Sequence, residues 1–241
     1  MNQPSLITSL YASNGGKPKF EEFQTPIGRF VHCYHDKPQL EVDDKTQTPL
    51  LDENGIQKAN FKVTLAWHKS VLDTELIEMR TLAATVRDQA WGPQCSQDPW
   101  FRLETFLRDG NNPEHNTKRK DYLMDHVYLN FKAKAVPIMR DGVFTKTYSG
   151  APGLIGPRKE DLMPTDVYAG SYGRISGIMF GTEYMGRKFI STRLNNIQKG
   201  GGPAGTGDGE RMGGGGRPDA KSQFDPLIAG GAPAGGLGNI L

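Results

Sequence analysis

The side chains best suited to chemistry in this 241-residue chain are rings and cations spaced two apart between Asp166 and Lys199, DVYAGSYGRISGIMFGTEYMGRKFISTRLNNIQK. From Ser171 to Phe180, Tyr172, Arg174 and Ser176 alternate with Gly173, Ile175 and Gly177, which is the period of a strand, and Gly181 is expected to end it. A second strand is expected from Arg187 to Leu194, with Arg187, Phe189, Ser191 and Arg193 opposed to Lys188, Ile190, Thr192 and Leu194. One face of this hairpin therefore carries aromatic rings and guanidinium groups together. A guanidinium binds phosphate and stacks on planar rings, and an aromatic face accepts any base, so the mixture suits a flexible single polynucleotide strand. An ordinary half-exposed sheet with solvated arginines gives the same local pattern, so the rest of the chain has to decide.

Other residue sets point to chemistry less well. His32 and His35 flank Cys33, but in a strand positions three apart face opposite ways, and no second ligand cluster follows at zinc-site spacing. A nuclease or phosphotransferase would use Asp and His, with Asp43 and Asp44 as the carboxylates to test. No H-x-x-x-H pair, nucleophile elbow or carboxylate cluster stands on a recognisable scaffold, so no enzymatic activity, metal or cofactor is expected. The GGGG and GDGE segments lack the preceding strand, following helix and GK[ST] of a phosphate loop.

The net charge of +2 conceals a division along the chain. Residues 1–117 hold 12 basic and 16 acidic side chains, residues 118–199 hold 14 and 7, and residues 200–241 hold 3 and 4. The ring-and-cation hairpin thus lies in a block at +7, which favours a polyanionic partner because Lys and Arg displace counterions from phosphates. Two cysteines suggest a reducing compartment, and no apolar run is long enough to span a bilayer. A cytoplasmic protein, without a membrane partner, is the expectation.

The elements that must position these residues are mostly strands. GRFVHCYHD from Gly28 alternates Phe30, His32 and Tyr34 with Val31 and Cys33, one aromatic face; residues 36–58 read as a polar, turn-rich loop. KANFKVTLAWHKS puts Phe61, Val63, Leu65 and Trp67 on a core face and Lys62, Thr64 and His68 on the other. Ser70 and Asp73 resemble a capping box for the one convincing helix, whose stripe Leu72, Leu76, Met79, Ala83, Val86 and Ala90 runs to Gly92 and Pro93. It is expected to pack on a sheet or plug a barrel end. LRDG at 107–110 leads into a basic loop around Lys118, Arg119 and Lys120, where a phosphate contact would adjoin the basic block. HVYLNFKAKA then sets His126, Tyr128, Asn130, Lys132 and Lys134 against Val127, Leu129, Phe131 and Ala133, and Asp141–Gly142 marks a hairpin turn. One helix among several strands argues against a doubly wound fold. Residues 1–27 read as a leader, 28–199 as the domain, and 200–241, with 15 of the 30 glycines and no periodicity, as a disordered tail.

YAGSYGRISG at 168–177 and TRLNNIQKGG at 192–201, with LRDG and the strand KANFKVTLAWHKS running into a helix, resemble a family of bacteriophage single-stranded-DNA-binding proteins long catalogued as a domain of unknown function. The resemblance spans roughly residues 28–200 and is most specific in LNNIQK. It implies an OB-fold barrel that coats single-stranded DNA during phage replication or recombination in the host cytoplasm, with phage or host replication and recombination proteins as further partners. The terminal GGLGNIL lacks the acidic tip through which many replicative single-strand-binding proteins recruit partners.

The combined expectation is a mainly β domain, a five-stranded OB-fold barrel with one amphipathic helix, long loops and a disordered Gly-rich tail. Strand alternation nominates Tyr34, Tyr128, Tyr172 and Phe189 to stack on bases, and Lys132, Lys134, Arg174, Arg187 and Arg193 to contact phosphates. Asn195 and Asn196 either hydrogen-bond bases or close the barrel through side-chain to backbone bonds, the second being favoured. A virion or scaffolding protein whose Gly-rich tail spaces subunits is the alternative, with a metal-dependent nuclease behind it.

Overall fold

The computed structural model describes residues 20–43, 45–70, 74–97, 106–118, 120–184, 186–202 and 209. Most of the segments read as leader and tail, and Asp44, Leu72, Asp73 and Arg119, lie outside the described residues.

The described chain runs β1 (Phe20–Gln24), β2 (Gly28–Leu40), β3 (Ala59–His68), α1 (Thr74–Trp91), β4 (Arg108–Asp109), β5 (His126–Arg140), β6 (Val143–Ser149), β7 (Gly153–Ile155), β8 (Tyr172–Tyr184) and β9 (Arg187–Gly200). Five of these strands close on themselves. β2 pairs β3, β3 pairs β5, β5 meets β9 in parallel, β9 pairs β8, and β8 returns to β2 at Gly28 and Arg29. This ring, with its single parallel contact, is the expected five-stranded OB arrangement. β1, β4, β6 and β7 are additions that pair with β8, β5, β5 and β9.

The ring closes because each strand has one apolar face. Phe30, Phe61, Val63, Leu65, Phe131, Ile175, Met179 and Ile197 are essentially without solvent exposure and form one cluster. Leu76, Met79, Ala83 and Val86 of α1 join that same cluster, so the helix seals an opening of the ring. Each such side chain contributes roughly 1.5–3 kcal/mol on leaving water. The expected hairpin forms at Asp141 and Gly142, between β5 and β6.

Four expectations change. The segment read as leader contributes β1, whose Phe20–Gln24 pair Phe180–Ser176 of β8. β2 runs on to Leu40, five residues into the segment read as loop. Gly181 does not end a strand; β8 continues to Tyr184. A Cβ at Gly181 would stand 2.8 Å from the Ala90 Cβ and 2.9 Å from the Trp91 ring, so glycine is there to let the end of α1 lie against the strand. Finally, β2 has no continuous aromatic face. Phe30 opposes Leu65 and is buried, whereas His32 opposes Thr64, because Val31 is the extra residue of a bulge.

A second bulge falls at the paired asparagines. Asn196 opposes Ser176 and Leu194 opposes Gly177, which leaves Asn195 as the inserted residue. The insertion keeps both Leu194 and Ile197 inward, where strict alternation would turn one of them out.

Candidate nucleic-acid interface

The outward face of the ring carries a row of side chains that runs across the strands. Tyr34 on β2 opposes Lys62 on β3, Lys62 opposes Lys132 on β5, and Lys132 is in register with Arg193 on β9. Cross-strand neighbours stand about 4.5–5.5 Å apart at their Cβ atoms, and like charges facing each other there are destabilising. Along the strands, His32, Thr64 and Asn130 form the adjoining row on one side, and Gln39, Asn60 and Lys134 the row on the other. Thr64 Oγ1 donates to Asn130 Oδ1 at 2.6 Å, and Thr192 Oγ1 donates to the Asn130 carbonyl at 2.7 Å, which pins β3, β5 and β9 together beneath the row.

The segment from Arg108 to Leu123 walls this surface into a groove of about 610 Å3. Its lining includes Lys62, Arg108, Lys118, Lys120 and Lys132, with Tyr34 and Ser191 at its sides and, among the described residues, no carboxylate. The wall is built by local bonds. Buried Asn116 donates through Nδ2 to the carbonyls of Gly110 (3.0 Å) and Lys120 (3.1 Å), and its Oδ1 accepts from the Lys120 amide at 2.9 Å. Lys69 pairs with Asp109 at 2.7 Å, which helps hold that carboxyl below its ordinary range even though partial burial pushes it upward. A Cβ at Gly110 would lie 1.7 Å from the Leu123 carbonyl oxygen, so the glycine of the LRDG motif permits the wall to fold back on itself.

At the inner end of the wall, His32 Nε2 accepts from Lys120 Nζ at 2.9 Å and from the Tyr122 hydroxyl at 3.0 Å. The ring is therefore the neutral tautomer with its proton on Nδ1. Burial, and then the Lys120 ammonium, lower the His32 pKa from the usual 6.5. His35 takes a different place: buried, it sits 3.0 Å through Nε2 from the Pro164 carbonyl.

The nominated residues divide. Tyr34, Lys132 and Arg193 share the transverse row, and exposed Lys134 lies one pair farther along the same face. Tyr128 is a correction. Alternation places it outward as expected, but the wall covers it: it is 4% exposed, clusters with Val31, Ala66 and Leu123, and donates from its hydroxyl to the His115 carbonyl at 2.6 Å. A ring so covered is closed to a base. Tyr172 and Arg174 do share an outward face with Arg193, as the register of β8 and β9 requires, but Arg174 stands four residues along β8 from Ile178, the partner of Arg193. That is about 13 Å away, and Arg174 Nε donates to Gln198 Oε1 at 2.7 Å. Arg187 and Phe189 lie beyond Ser191 toward the tip of the β8–β9 hairpin, outside the groove lining. Asn195 and Asn196 line a separate small cleft beside Glu22–Gln24, away from the cation row, with Asn196 Nδ2 3.4 Å from Ser176 Oγ.

Lys62, Arg108 and His32 were not nominated. Lys62 stood on the polar face of its strand in plain view; what was missing was its opposition to Lys132, which only pairing supplies. Asp43, the carboxylate a nuclease would use, is occupied by its own loop. Its Oδ1 accepts from the amides of Lys45 and Thr46 at 2.9 and 2.8 Å, and these bonds hold its pKa below the ordinary value.

An OB ring with a cation-lined groove across its face defines a class of proteins that hold single polynucleotide strands. Within that class, the family described as the ssDNA-binding protein of Enterobacter phage Enc34 matches residues 37–232, and the chain belongs to it. That family is one of DNA-binding proteins, not of enzymes. No curated protein matches significantly. Among solved structures, the single-stranded DNA-binding protein from bacteriophage Enc34 is 13% identical, with 84% of this chain and 90% of that one covered and a TM-score of 0.47. The same protein in complex with ssDNA gives 13%, 87%, 100% and 0.48 in that order, and gp2.5, a single-stranded DNA-binding protein encoded by bacteriophage T7, gives 11%, 90%, 100% and 0.44. No helix among the described residues is long and apolar enough to cross a membrane.

Proposed function

We propose that this chain binds single-stranded DNA without regard to sequence, in the groove across β2, β3, β5 and β9, and protects it during phage DNA replication or recombination. The observation that carries the reading is the five cations Lys62, Arg108, Lys118, Lys120 and Lys132 gathered in one groove that no carboxylate lines among the described residues, with Arg193 in register with Lys132 on the neighbouring strand. Cations gathered in one groove attract a polyanion, because they displace the counterions condensed on its phosphates. Tyr34, 46% exposed at the end of the row, supplies a ring on which a base can stack. The family supports the same partner: its describing member is a phage ssDNA-binding protein. Lys134, Arg174, Arg187, Phe189 and Tyr172 extend the outward face and serve a longer strand that leaves the groove. Replication or recombination proteins of phage or host are the further partners this role calls for.

Titration of the full chain with single-stranded homopolymers, read by intrinsic fluorescence, tests the proposal. Binding to both pyrimidine and purine strands is expected, with weaker binding to duplex of equal length. Equal affinity for duplex and single strand overturns it.

A further inference from the structure

Beside the groove, where β2 leaves β8 after Arg29, the ring opens into a second cavity of about 790 Å3 between Val31–Asp36 and Pro164–Ala169. We propose that this seam receives one unstacked nucleobase from the strand in the groove, held against Tyr122 and Tyr168 with His35 at its inner wall. The proposal rests on the single-strand reading above and adds a base subsite to it.

Three observations carry it. The seam and the groove share His32 and Tyr34, so the two cavities adjoin and a strand lying along the cation row passes the mouth of the seam. The two cavities differ in chemistry: five Lys and Arg side chains line the groove, whereas the seam's lining includes Asp36 and no Lys or Arg, and Lys120 and Lys199 approach it at the Tyr122 and Tyr168 rings. A phosphate stays with the cations, and what enters the seam is a neutral flat ring. The seam is also furnished for such a ring. Tyr122 is 37% exposed, and the ammonium groups of Lys120 and Lys199 stand 5.8 and 5.6 Å from the Tyr122 and Tyr168 ring centres. The Pro164 carbonyl can only accept, so His35 Nε2 is the protonated nitrogen and Nδ1 is an acceptor. That acceptor has no hydrogen-bond partner among the described residues, and it is itself closed to solvent in a residue 3% exposed, so a base edge reaches it only as the imidazole turns toward the seam. An unpaired buried acceptor asks for a donor, and the N–H groups on a base edge are donors.

The test compares two probes on the full chain: a mixed-sequence DNA 20-mer and a 20-mer of the same phosphates in which the central residues are abasic. Tyr122→Ala is expected to weaken binding of the first by roughly 5- to 160-fold, the range for one lost stacking contact, and of the second by less than about twofold. Thr165→Trp, an exposed residue at the mouth, is expected to do the same by blocking entry, and guards against a folding defect in the first variant. Equal losses on both probes mean that the seam holds backbone, and unchanged binding of both means that nothing enters it; either result overturns the proposal. Lys132→Ala is the control for the groove and is expected to weaken both probes alike. If the unaltered protein binds neither probe, the single-strand reading itself fails, and the subsite with it.

Discussion

Lys132 faces Lys62 on one neighbouring strand and Arg193 on the other, and the consequence is measurable. Replacing Lys132 by Ala is expected to leave the thermal midpoint unchanged or raised slightly, because like charges facing each other are relieved. The same change is expected to weaken single-strand binding and flatten the plot of log affinity against log salt by about 0.7 for each lost phosphate contact. Tyr34 and Tyr128 form a contrast of the same kind. Tyr34→Ala is expected to cost affinity but little stability. Tyr128→Phe removes only the bond to His115 and is expected to cost about 1 kcal/mol of stability in a urea melt, with affinity unchanged. His32 gives a pH dependence. Its folded-state pKa is depressed by burial and by Lys120, so its contribution to stability is complete above the ordinary value of 6.5 and is lost as the pH falls toward the folded-state value. Melting temperatures taken from pH 7.5 to 5.5 are expected to decline, and the decline is expected to be shallower in His32→Gln.

At the scale of elements, the wall from Arg108 to Leu123 is where the chain departs most from its strand pattern. Alternation alone identifies the core face of β3, Phe61, Val63, Leu65 and Trp67, all of them buried, but not the burial of Thr64 and Ala66 on the other face. It cannot show that a later loop lies over Tyr128, because a loop's resting place depends on contacts such as those of Asn116, six to ten positions from any strand residue that would betray them. The bulges at Val31 and Asn195 are hidden for a similar reason. One inserted residue reverses every side chain beyond it, and no residue type marks the insertion. The cation row was half legible: the charges could be read, their opposition could not, since the parallel pairing of β5 with β9 joins residues 61 positions apart. Gly110→Ala tests the wall as a unit. The added methyl collides with the Leu123 carbonyl, so the loop carrying Lys118 and Lys120 must shift. A stability loss of about 1–3 kcal/mol is expected, together with an affinity no better than that of a Lys118→Ala/Lys120→Ala double variant. Retention of full affinity would show that the wall takes no part.

For the whole molecule, the five cations lining the groove set the scale of its response to salt. At about 0.7 counterions released per phosphate on a single strand, full engagement gives a slope near −3.5. A slope shallower than about −1 across 50–300 mM NaCl, measured with the whole chain, would mean that the strand lies elsewhere. The division of charge that separates residues 118–199 from their neighbours already pointed to this partner, and the fold explains why it suffices: β5 and β9 come from that block, and β3 contributes Lys62 from outside it.

The hoop of five staves is fastened unevenly. Ten register pairs bind β3 to β5, but two bind β2 to β8 and one binds β5 to β9. The ring is thus two sets of strands, one of β2, β3 and β5 with β4 and β6 alongside and the other of β8 and β9 with β1 and β7 alongside, clasped at two short hinges. Both clasps border the proposed DNA surfaces: Lys132 and Arg193 are one of them, and the seam begins at the other. A strand lying in the groove spans the first clasp, so DNA acts as a rivet between the two sets. Amide protons on either side of that joint should be the ones whose exchange with deuterium slows most when oligonucleotide is added.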